Sequence, residues 1–225
     1  MVYIQLQNIR YKIKNGETNK MMDAELERLM KKYDATELVR LTGGFTNAVY
    51  LLKGTEPPLV AKVAQWSNRD LKNEGNSLRF LKNTPFTPKL IDIFSENEAQ
   101  IIVFTFAKGM NGQAILDTGD FKRCTDLFRD LGELLSTQIH SYPYTGDYGG
   151  LRSTDFKILR FGLDYVPKTL MEKSRALLAQ IDTPIHEWTL THGDFGSHNI
   201  LADGHKLTVI DWEWAEWGHP LVDIA

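Results

Sequence analysis

Cysteine is almost missing from this chain: Cys124 is the only one in 225 residues. An intramolecular disulfide and a cysteine-based zinc site are both excluded. Cys124 itself falls in an apolar helical stripe, which fits core packing better than reactivity. Long apolar runs are also missing, and none approaches the ~20 residues that a membrane helix needs. The opening segment, "MVYIQLQNIRYKIKNGETNK", alternates apolar and polar residues where a secretory signal would be unbroken. A cytoplasmic protein with no membrane partner is expected. Excess positive charge is absent too, and a net charge of −3 argues against a nucleic-acid partner. Internal repeats and low-complexity tracts are not found.

What is present is an ordinary globular composition, 42% hydrophobic and 24% charged, long enough for one large domain or two small lobes. The charge is uneven. Residues 1–106 hold 15 Lys/Arg against 12 Asp/Glu, whereas 107–225 hold 11 against 17, a split that suits an anionic ligand near the first part and a cation near the second. "MDAELERLMKKY" places Leu26, Leu29, Met30 and Tyr33 on one helical face, with Asp23 as its cap. From Glu37 to Phe106 short β-rich runs follow ("ELVRL", "NAVYLLK", "PLVAKVA", "KLIDIF", "AQIIVFTF"), interrupted once by the helical spacing of "RDLKNEGNSLRFLKN". "AKGMNG" reads as a linker. Asp120 then opens an amphipathic helix carrying Phe121 to Ile139, and another helix runs through "LMEKSRALLAQI".

The densest cluster of functional residue types is "LTHGDFGSHNILADGHKLTVIDWEW", Leu190 to Trp214. Asp203-Gly204 lies between two apolar runs and signals a β-hairpin, with a loop that runs to two residues or more. Asn199 precedes the first strand and Asp211 follows the second, so pairing brings amide and carboxylate together at the open end, where Asp194 can join them. Two carboxylates and an amide oxygen are hard ligands that suit Mg²⁺. Magnesium of this kind usually works beside phosphates, so phosphate-holding groups are expected upstream. "LTGGFTNAVYLL" offers Gly43 and Gly44 in a turn between strands, where backbone N–H groups can approach phosphate oxygens. Lys62 sits inside the apolar strand "LVAKVA" on the face of Val60 and Ala64, a costly position for a charge without a partner. Glu74, on the following helix, can pair with it.

Together these motifs resemble the aminoglycoside phosphotransferase and choline kinase group of small-molecule kinases, which have the protein-kinase-like fold. "HGDFGSHN" is similar to that group's HGDxxxxN loop, "VIDWEWAEWGHPLVDIA" to its IDWE…GxPxxDLA segment, and "SLRFLKN" and "LLSTQIHS" to its helix patterns. The likeness runs from about Glu25 to Ala225. It implies an α+β fold of two lobes: an antiparallel-sheet lobe with one helix, in 1–106, that binds nucleotide, and a mainly helical catalytic lobe in 107–225. It further implies that Asp194 orients or deprotonates the acceptor hydroxyl, and that Asn199 and Asp211 bind Mg²⁺ on the phosphates of ATP. Lys62 would contact the α- and β-phosphates with Glu74 holding it. Gly43, Gly44, Phe45, Thr46 and Asn47 would cover the phosphates, and Phe104, Thr105, Phe106 and Ala107 would meet the adenine. ATP and GTP both remain open as donors. The acceptor is a small molecule, with a cationic aminoglycoside or amino alcohol favoured by the acidic second lobe.

His192 is expected to brace the catalytic loop and Asp223 to secure it through backbone N–H groups. Trp212, Trp214 and Trp217 are expected in core or rim positions. Glu213 reads equally as a contact behind the metal or as packing; it replaces a protein kinase's glycine, so no flipping activation segment is expected. His219 stands where the family usually has an acidic residue. The second lobe also reads as truncated, without the family's last helices, and so should expose apolar surface and favour self-association. Residues 1–20 read as an extension before Met21 or Met22. Two other functions compete with a kinase: a non-catalytic nucleotide-binding module of the same fold, and a metal-dependent phosphoester hydrolase built on His192, Asp194, His198 and Asp211.

Overall fold

The computed structural model describes residues 20–41, 47–64, 69–96, 99–147, 149–153, 167–178 and 185–224. Gly43, Gly44, Phe45 and Thr46, expected to cover phosphate, lie outside them, as do residues 1–19. Helix α1 (Lys20–Lys32) begins before Asp23, which therefore lies within the helix and not at its cap. It leads into strands β1 (Glu37–Leu41), β2 (Ala48–Lys53) and β3 (Leu59–Ala64), helix α2 (Arg69–Phe80), and strands β4 (Leu90–Glu96) and β5 (Ala99–Thr105). These form one antiparallel sheet in the order β1-β2-β3-β5-β4.

The central strand β3 has all six residues buried. Its alternation divides them between two faces. Leu59, Ala61 and Val63 join Leu26 and Leu29 of α1 in one core. Ala64 packs on the other face with Leu71 of α2 and Ile102 of β5, and Lys62 shares that face. Helix α2 lies very close to the sheet because of Gly75: a Cβ there would come within 2.5 Å of Ile93 Cδ1. A mid-helix glycine costs about 1 kcal/mol relative to alanine. Here it lets the neighbouring Glu74 reach the buried strand.

Beyond Thr105 the chain forms β6 (Met110–Asn111), α3 (Gly112–Leu116), α4 (Phe121–Leu134), β7 (Arg152–Ser153), α5 (Lys168–Leu178), β8 (Thr189–Thr191), β9 (Ile200–Asp203), β10 (Lys206–Val209) and β11 (Glu216–Gly218). Asp120 caps α4 as expected, accepting from Arg123 N at 3.1 Å. Residues Leu135–Ile139, expected to continue α4, instead form a π turn. The expected linker is partly structured, because Met110 and Asn111 pair with Ala202 and Leu201 of β9. Two small sheets result, β10-β9-β6 and β7-β11-β8.

The larger core gathers Leu127, Leu131, Leu134, Ile139, Leu190, Ile200, Val209, Trp212 and Trp217 around Leu78, Leu81 and Phe86. Leu78 belongs to α2, so this helix contributes to both lobes. Among the described residues, exposed large apolar side chains are more numerous in the second lobe (Phe121, Phe128, Leu170, Trp214, Leu221, Val222 and Ile224) than in the first (Phe80 and Ile91). Among the described residues no helix is long and apolar enough to cross a membrane.

Candidate active site

The hairpin assembles the site's floor. Asp203 pairs with Lys206 and Ile200 with Val209, leaving Gly204 and His205 as a two-residue loop. The glycine takes the left-handed conformation that such loops require, at φ +63°. At the open end Ile210 N donates to Asn199 O at 2.9 Å, which puts Asp211 one residue past the position opposite Asn199. Asp211 itself is left-handed, with φ 66° and ψ 55°. Apart from glycine, Asn and Asp visit this region most readily. The resulting kink ends the strand and starts the short 3₁₀ turn Trp212–Trp214.

Lys62 is the hub. Its ammonium reaches Glu74 Oε2 at 2.8 Å, Asp211 Oδ1 at 2.5 Å and Glu213 Oε2 at 3.2 Å. Asn47 Nδ2 also donates to that Glu213 oxygen, at 3.2 Å. Lys62 and Glu74 are buried, while the Asp211 side chain is 38% exposed. Burial alone would lower the Lys62 pKa, but Glu74, Asp211 and Glu213 overcome that and hold it above the ordinary lysine value. Three carboxylates surround one ammonium, and the most buried of them, Glu74, is the one on which negative charge is least favoured. Burial, with help from Asp211 and Glu213, pushes Glu74 up to about 7 against the pull of Lys62.

This shift has a sign that can be measured. A carboxyl whose pKa rises on folding stabilises the fold fully only below its unfolded value, here 4.5, and loses that contribution as pH rises through about 7. Glu74→Gln mimics the protonated form. In metal-free buffer its melting temperature relative to wild type should therefore increase from pH 5 to pH 8. A difference independent of pH would refute the assignment.

The loop carrying Asp194 is held from behind. Asp223 accepts from His192 N at 2.9 Å and Gly193 N at 2.8 Å, and also meets His140 Nε2 at 2.9 Å. The His192 ring accepts from Asp194 N at Nδ1, which leaves Nε2 to donate to Ile210 O at 3.0 Å. This fixes the neutral tautomer, and burial lowers the His192 pKa from the ordinary 6.5. With both nitrogens used, His192 offers nothing to a metal, which removes a ligand the hydrolase reading needs. Gly193 has φ +79°, and a Cβ there would overlap Trp214 O. Asn199 donates to Asp194 O and Oδ2, both at 2.9 Å. Its amide hydrogens are thus spent on Asp194, leaving Oδ1 as the atom able to ligate. Asp194 is half-exposed, and His198 Nε2 lies 3.3 Å from its Oδ2.

His219 caps the turn that follows, because its Nδ1 accepts from Leu221 N at 3.2 Å. Trp212 and Trp217 are core residues, while Trp214 is half-exposed. In the expected adenine-binding segment, Thr105 N donates to Lys89 O and Phe106 N to Pro58 O, and Phe104 lies opposite Val60 in the sheet ladder. The N–H groups of Thr105 and Phe106 are thus engaged within the fold.

Residues 37–225 match the family model of the phosphotransferase enzyme family APH. The chain belongs to this family. A search of curated proteins gives no significant sequence match to the phosphotransferase. Among solved structures it is similar to the aminoglycoside phosphotransferase APH(4)-Ia, at 19% identity and TM-score 0.68, over 90% of this chain and 75% of that one. It is also similar to the spectinomycin phosphotransferase APH(9)-Ia, solved with ADP and spectinomycin, at 17% identity and TM-score 0.63, over 89% and 71% of the chains. A third similar structure is the amicoumacin kinase hAmiN with AMP-PNP and Ca²⁺, at 15% identity and TM-score 0.64, over 92% and 70%. The phosphotransferase thus has the two-lobed kinase-like fold that its motifs imply.

Two features of the phosphotransferase are not apparent from sequence. Glu213 joins the Lys62 cluster directly, and Glu74, Asp211 and Glu213 are the three acidic groups that converge among the described residues; Asp194 stands outside them. The position of Glu213 two residues after Asp211 is the available signal. Asn73 carries no such signal, because an asparagine inside a helix pattern has no periodic mark, yet it makes two contacts to the Trp212–Trp214 turn and the residue after it.

Proposed function

We propose that this phosphotransferase moves the γ-phosphoryl group of ATP, with Mg²⁺, to a hydroxyl of a small cationic molecule of the aminoglycoside or amino alcohol type. Residues 1–106 would form the nucleotide-binding lobe and 107–225 the catalytic lobe, in a cytoplasmic enzyme. The observation that carries this reading is the buried Lys62, held by Glu74 from α2 and reaching Asp211 at the end of the hairpin. A lysine so placed is suited to bind anionic oxygens, because the half-exposed Asp211 is the partner most easily exchanged for phosphate.

The donor set fits a hard divalent ion: a carboxylate at Asp211 and the free amide oxygen of Asn199. Bound there, Mg²⁺ would neutralise the phosphates and leave Lys62 to the α- and β-phosphoryl oxygens. Asp194 would accept the hydroxyl proton as the acceptor oxygen bonds to the γ-phosphorus and the bond to the β-γ bridging oxygen breaks, releasing ADP. Asn199 keeps the Asp194 carboxylate aimed through Nδ2. Phe104, Thr105, Phe106 and Ala107 would meet the adenine, and Gly43–Asn47 would cover the phosphates. Spectinomycin in the similar APH(9)-Ia structure and the acidic second lobe support a cationic acceptor.

The test is a thermal-shift titration with Mg·ATP, followed by a search for phosphorylated product across aminoglycosides and amino alcohols. A magnesium-dependent rise in melting temperature and ADP release with at least one acceptor are expected. Folded protein that shows no magnesium-dependent nucleotide binding would overturn the proposal. Binding without any product would favour the non-catalytic module.

A further inference from the structure

The Lys62–Glu74 pair depends on where α2 sits, and one buried side chain ties that helix to the opposite lobe. Asn73, 4% exposed, donates through Nδ2 to Glu213 O at 3.1 Å and to Ala215 O at 2.7 Å. Carbonyls at the end of a helical turn have no partner within the turn and need an outside donor. An asparagine amide carries two hydrogens on one nitrogen and so can serve both at once. One turn later Ser77 repeats the contact more weakly, its hydroxyl lying 3.3 Å from Trp212 O and 2.8 Å from Asn73 O in its own helix. The residue that Asn73 grips by its backbone is Glu213, whose carboxylate is held by Lys62 and by Asn47 from β2's threshold. Glu213 is thus fixed to the sheet lobe at both its main chain and its side chain.

We propose that Asn73 is a positioning residue that bolts α2 to the 212–215 turn and so keeps Glu74, its neighbour in sequence, in register with Lys62 before nucleotide arrives. The inference rests on the phosphotransfer reading of the same site. In protein kinases the corresponding lysine–glutamate pair must be in place for phosphoryl transfer, and such a bolt keeps the two side chains here in contact. It removes the freedom of α2 to swing out, and with it one route of regulation. Gly75 supports the same arrangement from the sheet side, since it brings α2 against Ile93.

Asn73→Ala, Ser77→Ala, Glu74→Gln and the Asn73→Ala/Glu74→Gln double variant separate positioning from mere packing. Each is titrated with Mg·ADP, alongside its melting temperature and the amide exchange of α2 without ligand. Asn73→Ala should weaken Mg·ADP binding by about tenfold and speed exchange in α2. Ser77→Ala, which removes only the weaker 3.3 Å contact to Trp212 O and leaves both Asn73 bonds in place, should stay within about threefold of wild type. Because Asn73 acts through Glu74, adding Asn73→Ala to Glu74→Gln should cost less than about twofold more, the non-additivity expected of residues that act as a unit. Losses from Asn73→Ala and Ser77→Ala that both simply follow their melting temperatures would overturn the proposal. So would full additivity in the double variant. If wild type fails to bind Mg·ADP, the phosphotransfer reading falls; unchanged α2 exchange in Asn73→Ala is what refutes the bolt itself.

Discussion

Asp194→Asn is expected to bind Mg·ATP with near wild-type affinity and to turn over about 10³-fold more slowly, within the range general-base removal usually costs. The reason lies in what the side chain does and does not touch. Asp194 takes no part in the Lys62 cluster, so nucleotide binding should not depend on its charge. Its carboxylate is half-exposed and aimed by Asn199 Nδ2 at 2.9 Å. An asparagine can still accept that hydrogen bond through its carbonyl oxygen, which preserves the loop, but it has no basic oxygen for the acceptor's proton. Nucleotide affinity and kcat measured separately decide the matter. A kcat within tenfold of wild type would mean that another group handles the proton.

Asp211→Asn should have the opposite profile on the donor side: magnesium-dependent nucleotide binding is lost, and turnover falls by about 10³-fold or more. Asparagine is the informative replacement because the left-handed backbone at φ 66° suits it nearly as well as aspartate. Alanine at the same position adds a backbone cost of roughly 1–2 kcal/mol and confounds metal loss with misfolding. The variant keeps Lys62 paired, since Glu74 at 2.8 Å and Glu213 at 3.2 Å remain. It should therefore fold, with circular dichroism unchanged and the Mg·ATP thermal shift absent. A normal magnesium-dependent shift in Asp211→Asn would remove Asp211 from the metal site.

The parts of this architecture that are legible in sequence are those set by local pattern. The five strands of the main sheet show as alternating or apolar runs, and Lys62 stands out because a charge inside such a run needs a partner. Turn chemistry at Asp203-Gly204 is enough to bring Asn199 and Asp211 to one end of a hairpin, although the loop residues are Gly204 and His205. The rest depends on contacts between distant segments. Strands β6, β7 and β11 are two or three residues long, too short for a period to show. The π turn at Leu135–Ile139 has the same apolar spacing as the helix it follows. The bond between Glu213 and Asn47 and the grip of Asn73 exist only once distant segments meet.

That last dependence has a consequence for how the protein folds and fails. The contacts that define the site join residues far apart in the chain: 149 positions for Lys62–Asp211, 151 for Lys62–Glu213 and 166 for Asn47–Glu213. Within the sheet, by contrast, three of the four ladders join strands consecutive in the chain, β1–β2, β2–β3 and β4–β5. Long closures cost the most chain entropy and form slowly, so each lobe should reach native secondary structure before the charged cluster between them exists. On heating or in denaturant the order reverses. Nucleotide binding should be lost at a milder condition than the circular dichroism of the sheet, which makes ligand binding a more sensitive gauge of the native state than secondary structure.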